Sequence, residues 1–393
     1  MSRLDSFDSF DSFDSFDSFD SFDSFDAAQG GRIRGTVATA LTRSREGHLG
    51  RPVQVPGKPG AEGKFKPALI RAWTPNRDVL PSADDPRLML RMGSLYRVQV
   101  CAVDLTTSVS LERADVDGRP AYVLKNKGGG VTLEFVRPKL EEFKRQAERV
   151  ESWAALRSER TPEILAQMGS LFAFWNSIVP IDAHSAPYTR ELLAVAVEFS
   201  SNVVQQLKVR MGVPRPGEFS PRVQPMIPVP GHYAWPAGHA TQAFMAAELL
   251  TSVLAADLSA PNEMWTELRT QLWRQAERIA TNRVVAGLHY PIDNYAGAML
   301  GIGLARILVD AAARSTSTLK ESSTNFPEGF TGNEDFVMFH LSKKLSRYAA
   351  FGTAYERESS SPHGTLPTVV NHANTPLGWL WQQAVYEWHH PLK

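Results

Sequence analysis

The run NRVVAGLHYPID, residues Asn282–Asp293, decides how the chain around it folds. Gly287 interrupts one apolar helical pattern and Pro291 opens another, which puts Asp293 in a first helical turn four residues beyond His289. Helices are therefore expected on both sides, at about 262–285 and 291–312. Upstream, Gly238 is followed by the apolar run AFMAAELLTSVLAA, which predicts a helix over about 238–257. Further upstream, Tyr188 to Val209 carries Leu192, Val195, Phe199, Val203, Val204 and Leu207, the pattern of a largely buried helix. The expected fold is mainly α, with residues 138–312 forming a helical bundle.

Outside these helices the composition changes. KLEEFKRQAERVESWAALRSE reads as a charged amphipathic helix, and Thr161-Pro162 then supplies an N-cap and first-position proline for a helix over ILAQMGSLFAFWNSIV. Residues 66–137 hold short segments rich in Val, Tyr, Leu and Phe: LYRVQVCAV, AYVLKN and VTLEFV, separated by DG and GGG. They predict a small strand-rich region, with Cys101 a small core residue in it. Residues 1–65 are expected to be a disordered tail and linker, because Asp-Ser-Phe repeats from Asp5 to Asp26 place an acid at every third position.

That tail sets eight aspartates against Arg3 alone, so although Lys+Arg and Asp+Glu both total 42, the remaining residues carry about +7. Such an excess suits a small anionic ligand and falls short of a nucleic-acid binder. Residues 313–393 form a polar extension that ends with Trp379, Trp381, Tyr386 and Trp388 close together. So aromatic a tail is expected to dock on its own domain or on a second subunit, making a homo-oligomer. His389-His390, with no third partner nearby, reads as exposed rather than metal-binding. No basic-then-apolar signal peptide is visible, and the longest apolar stretch, Ala296–Ala305, meets Arg306 short of the roughly 18 residues of a spanning helix. No transmembrane segment and a cytoplasmic location are the expectations.

Three clusters interrupt the apolar pattern. In KVRMGVPRP, Gly212 and Pro214 break the helix between Lys208 and Arg215, letting a mobile ammonium and a planar guanidinium turn to one point. In WPAGHAT, Gly238 allows an oxyanion close to the backbone at a helix N-terminus, with His239 in the first turn beside it. In the third cluster Arg283 precedes the break, and Asp293 is placed to accept a proton from one nitrogen of His289, leaving the other as base, nucleophile or ligand. Each cluster alone also fits an ordinary role: charges at a helix terminus, a cap histidine, a structural His-Asp pair.

Taken in order, K-x6-R-P, P-x-G-H and R-x5-H-x3-D resemble the signature of the type 2 phosphatidic acid phosphatase and vanadium-dependent haloperoxidase superfamily. The resemblance implies that family's helical bundle and a phosphoric monoester hydrolase. Lys208, Arg215, Arg283 and the Gly238 N–H would hold the phosphoryl group. His289, oriented by Asp293, would form a phosphohistidine, and His239 would protonate the leaving group and then activate water. No cofactor or metal is implied by that reading, and the substrate is a small anionic phosphoester. The same residues could instead hold vanadate on His289, with peroxide and halide as substrates; His232, five positions before Ala237, is where the bromoperoxidase branch carries a second pocket histidine. His289-Tyr290-Pro291 is a form associated more with the phosphatases. Two positions depart from the pattern: Ala237 and Asn282 stand where the family usually has serine. The missing serine at 237 removes one anion contact, so an inactive anion-binding or scaffold protein is the third reading.

Overall fold

The computed structural model describes residues 83–128, 131–256, 262–313, 322–323 and 374–389. The Asp-Ser-Phe repeats, the expected linker and most of 313–375 lie outside these residues. The chain enters through a 3-10 turn, Pro86–Arg91, and helix α1, Ser94–Ser108, and then forms strands β1, Val109–Val116, β2, Arg119–Asn126, and β3, Thr132–Val136. β1 and β2 form a hairpin whose turn residues Asp117 and Gly118 both have positive φ, 52° and 72°, as a tight two-residue hairpin requires. β3 pairs antiparallel with β2, and Ser322–Ser323 adds a short parallel strand, β4, to its other side.

Helices follow: α2, Leu140–Trp153; α3, Arg157–Ala166; α4, Phe172–Asn176; α5, Pro187–Met211; α6, Pro216–Phe219; α7, Gly238–Ala255; α8, Asn262–Val285; α9, Pro291–Ala313; and α10, Pro376–His389. The protein is thus mainly helical with a small sheet. Two local expectations are corrected. LYRVQVCAV lies inside α1 and not in a strand: its buried residues Val98, Cys101, Ala102 and Leu105 recur at helical spacing, which overrides the strand preference of its Val and Tyr residues. AYVLKN and VTLEFV do fall on β2 and β3. Thr161-Pro162 lies within α3 and does not open a helix, because a 3-10 turn at Ala154–Leu156 starts α3 earlier; the Thr161 hydroxyl bonds back to the Arg157 carbonyl at 2.6 Å.

At the centre, α9 packs on α7 through glycines. A Cβ at Gly297 would come within 2.5 Å of the Ala237 carbonyl oxygen, and one at Gly301 within 2.2 Å of the Thr241 carbonyl oxygen. Only hydrogen fits at these crossings, so the helix that begins at Gly238 is held at one depth against the helix that carries Asp293. By length and composition Pro291–Ala313 could cross a bilayer, but 83% of its apolar window is buried in the bundle. It runs through Arg306 as a core helix. The tryptophan-bearing α10 docks on its own chain. Trp379 and Trp381 are buried, Glu387 accepts the N–H groups of Tyr188 and Thr189 at 3.1 and 2.6 Å, and Trp388 Nε1 donates to the Thr189 hydroxyl at 2.9 Å. A carboxylate on the first turn of α5 satisfies donors that the helix itself cannot. The side chain of His389 and the whole of His390 lie outside the described residues.

Candidate active site

Each helix break delivers its side chain by a separate local device. α5 stops because Gly212 adopts a left-handed φ of 56° and returns its N–H to the Lys208 carbonyl at 2.9 Å. Lys208 therefore sits in the last turn, buried, with Nζ donating to the Tyr233 and Ala234 carbonyls at 2.7 and 2.9 Å. Arg215 is extended ahead of Pro216, with φ −71° and ψ 156°, as pre-proline sterics demand. Its guanidinium reaches the carbonyl of His232 through Nε at 3.2 Å and that of Leu288 through Nη1 at 2.9 Å.

The third break turns on Gly287, whose φ is 84°. A side chain there is strained by that φ, and its Cβ would meet the Arg157 guanidinium at 2.9 Å and Pro225 Cα at 3.2 Å. Beyond it, Asp293 Oδ2 accepts the Tyr290 N–H at 3.0 Å and His289 Nδ1–H at 2.8 Å. The structural and functional readings of this pair are therefore not rivals: one carboxylate caps α9 and orients the imidazole. With its proton on Nδ1, His289 keeps a lone pair on Nε2, which accepts from Arg215 Nη1 at 2.9 Å. His239, second residue of α7, gives its Nε2–H to the Gln167 carbonyl at 3.1 Å, so Nδ1 is the nitrogen left to exchange a proton.

Lys208, Arg215, Gly238, His239, Arg283 and His289 line one cavity, with His232 on the same wall. His232 Nδ1 lies 3.0 Å from Arg215 Nη2. No carboxylate is among the lining side chains; Asp293 stands behind His289. Ala237 is the buried N-cap of α7 and supplies no side-chain cap; its N–H donates to the Asp293 carbonyl at 3.0 Å. Asn282, where serine was the usual residue, bonds away from the cavity lining: Nδ2 donates to Gln167 Oε1 at 3.0 Å and Oδ1 accepts from Arg160 Nη1 at 3.2 Å. Ser201, Gln205, Gln242 and the apolar Met168 and Ile227 complete the wall. Being uncharged, and outside the three clusters, they left no signal in the sequence. Among the described residues no three His, Cys, Asp or Glu side chains are grouped to share a metal ion.

The electrostatics are those of a cationic cavity with no carboxylate among its lining side chains. Burial first, then Arg283, pushes His239 down to about 3; burial, then Lys208 and Arg215, does the same to His232. His289 falls well below its usual range through burial and then Arg215, and burial with Arg215 also lowers Lys208. Burial raises Asp293 to about 7, against the pull of the Tyr290 N–H and the two cations. An oxyanion entering the cavity would relieve every one of these strains on the cations.

Residues 191–317, about a third of the chain, match the family model described as the PAP2 superfamily. That region is a PAP2-superfamily domain. The match begins within α5 and runs past α9, so the PAP2 region holds all three helix breaks and every lining cation. Members of the PAP2 superfamily are usually phosphatases or haloperoxidases, and the match supports a function of that type at the superfamily level. No curated protein matches the chain. Gln167, which touches Asn282, Arg283 and His239, lies outside the PAP2 region.

Proposed function

We propose that the protein is a phosphoric monoester hydrolase that works through a phosphohistidine. The observation that carries this reading is the state of His289: Asp293 fixes its proton on Nδ1, so the Nε2 lone pair is presented in a cavity lined by Lys208, Arg215, Arg283 and the first turn of α7. In the free protein Arg215 donates to that lone pair. An arriving phosphoryl group would draw the guanidinium to its own oxygens and free Nε2 to attack.

The phosphorus–nitrogen bond then forms as the ester P–O bond breaks, and the electron pair leaves on the alkoxide. Lys208, Arg215, Arg283 and the Gly238 N–H offset the charge on the equatorial oxygens. His239 delivers a proton to the leaving oxygen from Nδ1, while Nε2–H stays on the Gln167 carbonyl. The bound dianion raises the low pKa of His239 enough for it to carry that proton. In the second half, Nδ1 takes a proton from water, water oxygen bonds phosphorus, and His289 leaves.

The three cations and His289 also fit orthovanadate, which shares the charge and shape of phosphate; bound there, it would supply peroxide activation for halide oxidation. His232, with Nδ1 at 3.0 Å from Arg215 on the same wall, is the observation that favours this second reading. One assay separates the two. Purified protein is given a chromogenic phosphomonoester, then orthovanadate, peroxide and bromide. Turnover that vanadate inhibits supports the phosphatase, whereas bromination that appears only with vanadate replaces it with the haloperoxidase. Vanadate binding without either activity would leave an anion-binding protein.

A further inference from the structure

Gln167 is buried at the C-cap of α3, with no charge and no place in the three clusters, yet its two carbonyl oxygens touch both sides of the cavity. Its main-chain carbonyl accepts Nε2–H of His239 at 3.1 Å. Its side-chain Oε1 accepts from Arg283 Nη2 at 3.2 Å and from Asn282 Nδ2 at 3.0 Å, and its Nε2 donates to Glu163 Oε1 at 3.3 Å. Glu163 is itself paired with Arg278 at 2.8 Å. Because Glu163 can only accept from it, the amide is held with its oxygen toward Arg283.

We propose that Gln167 is a positioning residue that aims Arg283 and His239 at the bound oxyanion without neutralising either, and that Asn282 is its partner. The inference rests on the oxyanion-cavity reading above. Its physical content lies in the choice of a neutral acceptor. A carboxylate at this position would grip Arg283 more strongly, but it would cancel the charge that Arg283 is there to provide and would sit against the Glu163 carboxylate. An amide oxygen holds the guanidinium and leaves its charge for the anion. Asn282 fits the same scheme: a serine hydroxyl is too short to span from Gln167 to Arg160, whereas the amide bonds both, at 3.0 and 3.2 Å. The Ile164 carbonyl, on Arg283 Nη2 at 3.0 Å, is a second hold from the same helix. Thus α3, outside the matched region, supplies the rear wall on which the cationic cage is mounted.

The test uses the full chain with orthovanadate as probe, followed by calorimetry, so that no turnover is needed. Gln167→Met keeps volume but removes the acceptor, and should weaken vanadate binding about tenfold, the lower end for a hydrogen bond to a charged group, since Ile164 still holds Arg283. Gln167→Glu keeps the acceptor but adds charge. It should also weaken vanadate, and in an NMR titration it should move His239 to higher pH; the other charges around that imidazole, Arg283, Lys208 and Arg215, are left in place. A role confined to stability would lower the melting temperature of both variants and leave vanadate affinity and the His239 titration unchanged, which would overturn the inference. Should Gln167→Met not fold, Gln167→Glu alone carries the same decision. Native protein that fails to bind orthovanadate sinks the cavity reading and this inference together; native binding with indifferent variants sinks the inference alone.

Discussion

His289 and Asp293 form the pair on which the proposed chemistry turns, and their contributions separate by substitution. His289→Ala should abolish turnover, because His289 is the lining histidine whose ring proton a carboxylate, Asp293, fixes on Nδ1, leaving Nε2 as the nucleophile; retained activity would move the site elsewhere. Asp293→Asn keeps the cap on α9 but offers the imidazole a neutral acceptor that no longer fixes its tautomer, and kcat should fall by about 100-fold or more, toward the roughly 10⁴-fold lost when a histidine-orienting aspartate of a catalytic triad becomes asparagine. Ala237→Ser is the reverse experiment. A hydroxyl at this N-cap would satisfy a first-turn N–H of α7, adding about 1 kcal/mol of stability in urea unfolding. It would also restore one donor near the anion, so orthovanadate should bind about fivefold more tightly or better. The catalytic candidates were legible because each is charged or titratable and sits beside Gly or Pro. Gln167 was not, since a neutral residue that meets His239 across 72 positions has no local pattern to betray it.

Among the elements, the contact of α9 with α7 sets the distance between His289 and His239. Gly301→Ala would drive a methyl into the Thr241 carbonyl oxygen, where the gap is 2.2 Å and the obstacle is backbone. The expected loss is about 1–3 kcal/mol or more in urea, with a fall in kcat/KM beyond what the lost folded fraction explains, because α7 must shift. Unchanged kinetics per folded molecule would show that the crossing does not position the site. The helices α5, α7, α8 and α9 could be read from the sequence nearly to the residue, since Pro and Gly punctuate long apolar runs there. α1 could not: its Val and Tyr content argues for strand, and only its packing on α5 makes the helix the better way to bury Val98 and Leu105.

For the molecule as a whole, the buried histidines couple stability to acidity. His232 and His239 are held near 3 and His289 well below its usual value, so between about pH 3 and 6.5 the unfolded chain binds more protons at these three sites. Asp293, raised to about 7, acts oppositely, the folded form being the better proton binder between about 3.8 and 7. Three groups outweigh one. The urea midpoint should therefore fall as pH drops from about 6.5 toward 4, and saturating phosphate should flatten that slope by raising the histidine pKa values in the folded state. A midpoint that rises on acidification would contradict the neutral-histidine cavity. Independently, Trp381→Ala should cost about 3–5 kcal/mol, because α10 closes the bundle with that side chain 1% exposed.

The carboxylate of Glu387 on the first turn of α5 has a consequence in time. That turn leads the helix whose last turn carries Lys208, and its cap is encoded 198 residues after Thr189. At about 5–20 residues per second of synthesis, the helix emerges roughly 10–40 s before its cap exists. The lysine proposed to hold the phosphate is thus set on a helix whose far end is finished only when translation has passed the tryptophans, and until then the nascent chain offers that bare turn, and the apolar seat of α10, to chaperones.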